Sequence, residues 1–169
     1  MADTQAVRYD VDGYDVLTTA ICELVNQYPG LTEGDEISFS VLGADRGKAL
    51  FPVSGAIIET ETTSVTGKVR QVCRYPFVVI YRAAGLSETR KAAVKEWLDN
   101  LGRWLERQTI TAGGESYTLD SYPALKDGRK ILSITRQTPA ALDSVEENNA
   151  ENWIISISAR YRNEFYRKP

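Results

Sequence analysis

No histidine occurs among the 169 residues of this chain. Histidine is the commonest general acid or base near neutral pH and the commonest metal-binding side chain, so its absence removes Ser-His-Asp and Cys-His catalysis outright. A zinc site would have to be built from two scattered cysteines and carboxylates, without CxxC or HExxH spacing. Those cysteines, Cys22 and Cys73, are too few for a disulfide framework and sit in apolar-patterned segments, which predicts small buried hydrophobes with no redox role. Long apolar runs are missing as well. Stretches such as Phe77 to Tyr81 and Trp153 to Ile157 fall far short of the roughly 18 consecutive apolar residues a membrane span needs. The opening MADTQAVRYD has neither a basic n-region nor an apolar h-region, so the expectation is a chain that stays in the cytoplasm during synthesis. There is no excess of positive charge either. Lys and Arg total 20 against 23 Asp and Glu, and a net charge of −3 argues against a protein held on nucleic acid by counterion release, while leaving room for a local basic patch.

The composition that remains, 43% hydrophobic and 25% charged, is that of one globular domain spanning residues 1–169. No repeat, low-complexity tract or linker divides it. A first helix is predicted over Tyr14 to Tyr28, because Val16, Leu17, Ala20, Ile21, Leu24 and Val25 recur at three- and four-residue spacing. Asp12 or Asp15 would cap it, and Tyr28-Pro29-Gly30 would stop it. Ile37, Phe39 and Val41 alternate with Ser38 and Ser40 as in a half-buried strand, and Gly43 to Lys48 reads as a loop. The GxxxGK in that loop has too short a glycine interval for a Walker A motif and lacks the following Ser or Thr.

From Phe51 to Arg82 the pattern is a long β ribbon: Ala56 to Thr63 rises, Val65-Thr66-Gly67 turns and Lys68 to Tyr81 returns. Its outer half, ETETTSVTGKVRQ, is polar and threonine-rich, so it is expected to project beyond the core. Its inner half, RYPFVVIYR, has the near-continuous apolarity of a central strand buried on both faces, with Pro76 marking a bulge or bend. A second helix should start with Ser87 as N-cap and carry Val94, Trp97, Leu98, Leu101, Trp104 and Leu105 on a core-facing stripe through about Gln108. Its opposite face, with Arg90, Lys91, Lys95, Asp99, Arg103 and Arg107, reads as solvated, Lys95 pairing with Asp99. Beyond Thr109 the expectation is loop, a turn at Asp127-Gly128, a short strand over Ile131 to Thr135, an irregular acidic excursion, and a strand from Trp153 to Tyr161.

The fold class these elements define is α+β: a mixed, mostly antiparallel sheet of about five strands flanked by two core helices, with a projecting β ribbon. No constellation among them carries chemistry. Asp143, Glu146, Glu147 and Glu151 lack the alternation and central glycine of a calcium loop and read as a solvated loop. The C-terminal run interleaves Arg160, Arg162, Arg167 and Lys168 with Tyr161, Phe165 and Tyr166, a mixture enriched at protein interfaces and also able to bind a phosphate backbone. The expectation is therefore a protein without catalytic, metal or cofactor residues. Its interface candidates are Glu59, Glu61, Thr63, Thr66, Lys68 and Arg70 on the ribbon and Arg160, Arg162, Phe165 and Tyr166 in the terminal strand.

Three phrases give the chain a wider resemblance. NQYPGL closes the first helix, RYPFVVIYR leads into AAVKEWLDNLGRWLE, and TPAALDSVEENNAENWIISISARYRNEF closes the chain. In these phrases and in the order of its elements, over nearly its whole length, the sequence resembles the tail terminator, or tail-completion, proteins of tailed phages, prophages and phage-tail-like bacteriocins of Gram-positive bacteria. The resemblance implies a hexameric ring on the head-proximal end of a tail tube, which ends tube polymerisation and meets the connector or collar. The partners implied are copies of itself, the tube protein, and sheath and connector or collar proteins. DNA would pass through the lumen without specific binding, and no membrane is involved. The contacts of a ring are heterologous, so each subunit would need two different complementary patches. A neck or head-completion (stopper) protein, and a small nucleic-acid-binding module, are the alternatives.

Overall fold

The computed structural model describes residues 6–168. Two helices lie against one face of a seven-stranded sheet, with a separate two-stranded hairpin beside them. The first helix, α1 (Val11–Val25), starts earlier than the apolar periodicity predicts: its N-cap is Asp10, whose carboxylate accepts from the Gly13 N–H, not Asp12 or Asp15. It buries Leu17, Ala20, Ile21, Leu24 and Val25. Asn26 then bridges outward, its side chain donating to the Cys22 and Ile37 carbonyls and accepting from the Ile37 N–H.

That anchor explains why the expected strand over Ile37 to Val41 is mostly absent. Ile37 is buried at the end of α1, Ser40 adopts a positive φ of 55°, and Phe39 and Val41 are exposed. Only β1 (Ser38–Phe39) pairs, in parallel with β2 (Gly47–Pro52). Gly47 and Lys48, expected in a loop, begin that second strand, and Phe51, expected in the ribbon, belongs to it too.

The ribbon forms as β3 (Ile57–Thr63) and β4 (Lys68–Ala83), closed by Ser64 to Gly67 with Gly67 at φ 84°. A side chain at Gly67 would press to 2.9 Å from the Arg167 carbonyl, so glycine is required by space as well as by conformation. The ribbon is not a free-standing pair. β9 (Glu151–Tyr166) runs antiparallel to β4 without a break, from Ala83 opposite Glu151 to Lys68 opposite Tyr166. Pro76 causes no bulge in that ladder; the irregularity lies in β3, between Ile58 and Thr60. The Pro76 carbonyl accepts from Val53, so its missing N–H faces the gap where the partner of β4 changes from β3 to β2. On the far side of β9 lie β7 (Arg129–Arg136) and β8 (Ala141–Val145), both antiparallel to it. The acidic excursion is thus largely a strand and its turn. Likewise the segment around Gly113-Gly114 is a hairpin of β5 (Ile110–Ala112) and β6 (Glu115–Tyr117), both glycines having positive φ.

Strict alternation sorts the central strands. Cys73, Tyr75, Phe77 and Val79 of β4 and Ile155, Ile157, Ala159 and Tyr161 of β9 are fully buried beneath the helices. Val72, Val78, Ile80 and Ile154 point to the other face and are only half-buried, so β4 is covered on one face and not both. The second helix, α2 (Glu88–Leu105), begins as predicted, with the Ser87 hydroxyl accepting from the Arg90 N–H. Leu98, Leu101, Trp104 and Leu105 are buried, whereas Trp97 is half-buried and donates to the Gly30 carbonyl. Asp99, assigned to the solvated face, is buried instead: one oxygen accepts from Lys95 at 2.6 Å and the other from the Ala140 N–H at 2.8 Å.

Trp104 packs against Tyr28 with ring centroids 5.8 Å apart. Trp104→Ala is expected to lower unfolding stability by roughly 3–5 kcal/mol, measured by urea denaturation.

Candidate assembly surface

The two segments proposed as separate interface candidates meet in one place. Because β4 and β9 stay in register to their ends, Lys68 lies opposite Tyr166, Arg70 opposite Glu164, and Arg74 opposite Arg160. β3 extends this end on one side and β7 on the other, Lys130 lying opposite Arg162. Gly128, at φ 75°, fixes the last turn before β7. Its carbonyl accepts from the Glu164 N–H, and a Cβ there would reach 2.3 Å from the Glu164 carbonyl oxygen.

The pleat divides the candidates between two faces. Lys68, Arg70, Arg160, Arg162 and Tyr166 share the helix-free face with Arg74 and Lys130. Glu164 stands among them, within 3.1 Å of Lys68, 2.9 Å of Arg70 and 3.0 Å of Arg162. Hydrogen bonding from Lys68, reinforced by the surrounding cations, holds its carboxyl below the ordinary value. Glu59, at the β3 bulge, approaches Arg74 at 3.8 Å. Arg160 and Lys130 form no ion pair with any described residue. Glu61, Thr63 and Phe165 lie on the opposite, helix-side face; Glu61 accepts from Gln71 at 2.8 Å and pairs with Arg8. Thr66 sits at the turn, its hydroxyl 2.9 Å from that of Ser64.

Beneath this end lies a buried network that sequence reasoning missed. Arg129 of β7 donates through Nε and Nη2 to the two Asp10 oxygens at 2.9 and 2.7 Å, and the Tyr161 hydroxyl of β9 donates to Asp10 at 2.7 Å. Asp10 therefore caps α1 and ties it to two strands at once. Gln71 and Asn163, also buried, bond to each other across the ladder. Burial alone would raise the Asp10 carboxyl. Hydrogen bonds from Arg129 and Tyr161, the guanidinium charge and the Gly13 N–H outweigh it and hold the group below its ordinary value. Burial and donation to Asp10 push the Tyr161 hydroxyl far up. The available signal was an aspartate immediately before a helical run, which the apolar spacing alone placed too late.

Elsewhere the residues singled out in the sequence are committed to structure. Lys48, in β2, pairs with Asp35 at 2.6 Å and lies 4.4 Å from the centroid of the Tyr81 ring. Cys73 is buried, its thiol pushed up to about 11 by desolvation, and Cys22 is half-buried; both are free thiols. Among the described residues, no three acidic or cysteine side chains are grouped to hold a metal ion, and no helix is long and apolar enough to cross a membrane.

No known family model and no curated protein matches the sequence. Among solved structures, a chain from the virion of a native gene transfer agent particle is similar at 12% identity, with a TM-score of 0.47 over 92% of this chain and 100% of that one. A second solved protein is similar at 16% identity, with a TM-score of 0.41 over 91% of this chain and 97% of that one. Both fall below the overlap at which a role carries from one protein to another.

Asp10→Asn leaves Arg129 buried without its counter-charge and is expected to cost roughly 3–5 kcal/mol near neutral pH. The native carboxyl titrates below its unfolded value of about 3.9, so its contribution is complete above that pH and is lost as pH falls through the folded value. The acid limb of stability against pH should accordingly be shallower in the variant, as read by chemical denaturation between about pH 1.5 and 5.

Proposed function

We propose that this chain is a structural, non-enzymatic component of a phage tail or phage-tail-like particle. In this reading it forms a ring that caps the head-proximal end of the tail tube, ends tube polymerisation and joins the tube to the connector or collar. The observation that carries the reading is the convergence of the ribbon and the terminal strand at one sheet end, whose helix-free face is rich in exposed cations. A charged, uncovered sheet face gives a lone monomer no stability, since exposed ion pairs contribute only about 0–1 kcal/mol. It suits a protein that meets other subunits. The closing phrase that carries the sequence resemblance forms β8, β9 and their turn, so the same residues supply both the resemblance and the surface. The histidine-free composition adds support on the negative side, leaving the commonest acid–base and nucleophile-activating chemistry without its central residue.

The ring is tested by sedimentation velocity and electron microscopy of the purified protein, and by tail length in particles lacking it. Rings at high concentration and tubes of uncontrolled length are expected. A protein that stays monomeric, together with tubes of normal length in its absence, overturns the reading. Deleting the whole outer ribbon is a poor probe, because Val69 and Gln71 are buried and Val69 to Gln71 pair with Asn163 to Phe165 of β9. Replacing only Ser64–Lys68 by a two-residue turn, which keeps Thr63 opposite Val69, is expected to leave a folded monomer, by circular dichroism, with weakened assembly.

A further inference from the structure

Cations predominate on the helix-free face at one end of the β4–β9 ladder. On the helix-free face of one end stand Lys68, Arg70, Arg74, Lys130, Arg160 and Arg162, against Glu59 and Glu164 alone. Arg74 and Arg160 lie directly opposite each other, a like-charged cross-strand pair that costs the monomer stability. Eight residues further along β9 from Arg160, roughly 27 Å at the rise of an antiparallel strand, the ladder ends beside β8 and its turn. There Asp143 and Glu147 are exposed and form no ion pair with any described residue. β8 is exposed along its whole length, and its outer edge is unpaired among the described residues. It also presents Leu142 and Val145, 45% and 55% exposed. The basic end has an apolar counterpart in Leu132, 41% exposed at the β7 bulge between Ile131, opposite Tyr161, and Ser133, opposite Arg160.

The acidic hairpin is held firmly. Arg82 donates to Asn152 at 2.7 Å, to the Gly43 carbonyl at 2.9 Å and to Glu146 at 3.0 Å, and Asn152 donates on to Ser144 at 2.9 Å. Asn148 donates to the Ala44 carbonyl at 2.9 Å. The strand and its turn therefore present their charges from a braced position.

We infer that the basic, helix-free end of the sheet docks the acidic β8 hairpin of a second copy of this chain, head to tail. The inference rests on the ring proposed above and specifies its subunit contact. The two patches are different, opposite in charge, each edged with exposed aliphatic side chains, and far enough apart that one subunit uses both at once. That is what a heterologous, repeating contact requires. A nucleic-acid backbone fits the face less well. Glu164 sits inside the cation cluster and repels phosphate, while Lys68, Arg70 and Arg162 are already turned towards it.

Reciprocal charge reversal tests the contact on the intact chain. One variant carries Lys130→Glu with Arg160→Glu, the other Asp143→Lys with Glu147→Lys; none of the four residues has an ion-pair partner among the described residues of its own subunit. Each variant alone should remain folded by circular dichroism and associate at least about 100-fold more weakly than the parent. In an equimolar mixture the reversed patch of each variant meets the reversed patch of the other, while the untouched patches pair as before. Association should return, in alternating assemblies. Wild-type assembly with both variants assembling equally well overturns this contact and leaves the ring intact. Two non-assembling variants that stay apart when mixed also overturn it. A wild-type chain that never assembles, together with tubes of normal length in its absence, removes both readings. Salt-sensitive binding of duplex DNA by the wild type, lost with Lys130→Glu and Arg160→Glu while assembly persists, assigns the face to nucleic acid instead.

Discussion

The pairing of β4 with β9 is the constraint on which the rest of the structure depends. Sixteen residues of each strand face one another in unbroken register. The alternation within those strands settles which side chains go beneath the helices and which remain on the open face. A slip of one residue would turn the apolar set of the slipping strand outward, Tyr75 and Phe77 or Ile155 and Ile157, and drive its arginines inward. That is why the register is strongly determined although half the ladder is polar. The shorter strands take their places from it: β2 and β3 share one side of β4 end to end, and β7 and β8 share the far side of β9. Pro76 falls where the first of these handovers takes place, so a residue that would interrupt an ordinary interior strand costs no ladder hydrogen bond here.

Polar groups along the ladder are treated differently at different depths. Under the helices, Asp10, Arg129 and Tyr161 are buried and saturate one another, fixing the N-terminus of α1 to β7 and β9. Such a network adds less to net stability than its geometry suggests, because desolvation offsets most of the attraction; its larger effect is to make the alternatives costly. On the open face the opposite holds. Arg74 faces Arg160, Glu164 serves three cations, and Arg160 and Lys130 have no ion-pair partner among the described residues.

What could be read from the sequence followed the strength of its local signals. The second helix and its Ser87 cap were legible because capping and periodicity agree, and the ribbon was legible because a glycine turn separates two β-branched runs. β8 was invisible: every one of its residues is exposed, so no burial pattern marks it, and it is a strand only because β9 offers an edge. Asp99 was placed on the wrong side because its partner, the Ala140 N–H, is distant in sequence and leaves no periodic trace. Phe39 and Val41 misled in the other direction, alternating like a strand while Asn26 and the positive φ of Ser40 prevent one. Both halves of the candidate surface were proposed from the sequence as separate segments, but their meeting at one sheet end was not legible there, since strand partnership between Lys68 and Tyr166 is a tertiary fact.

The same ladder governs how the chain must fold. Its outermost pair closes a loop of about one hundred residues, and its innermost pair, Ala83 with Glu151, still encloses α2 and four strands. Contacts so remote in sequence are reached only after a large loss of chain entropy, which places proteins of this kind among the slower folders for their size. Until β9 arrives, β4 and the ribbon present a long apolar strand with one edge unpaired, the form in which a chain is most exposed to mispairing with others. The arginines, lysine and glutamates spaced along the outer half of that strand and its partner then act during synthesis as gatekeepers, discouraging like copies from pairing before the proper partner docks.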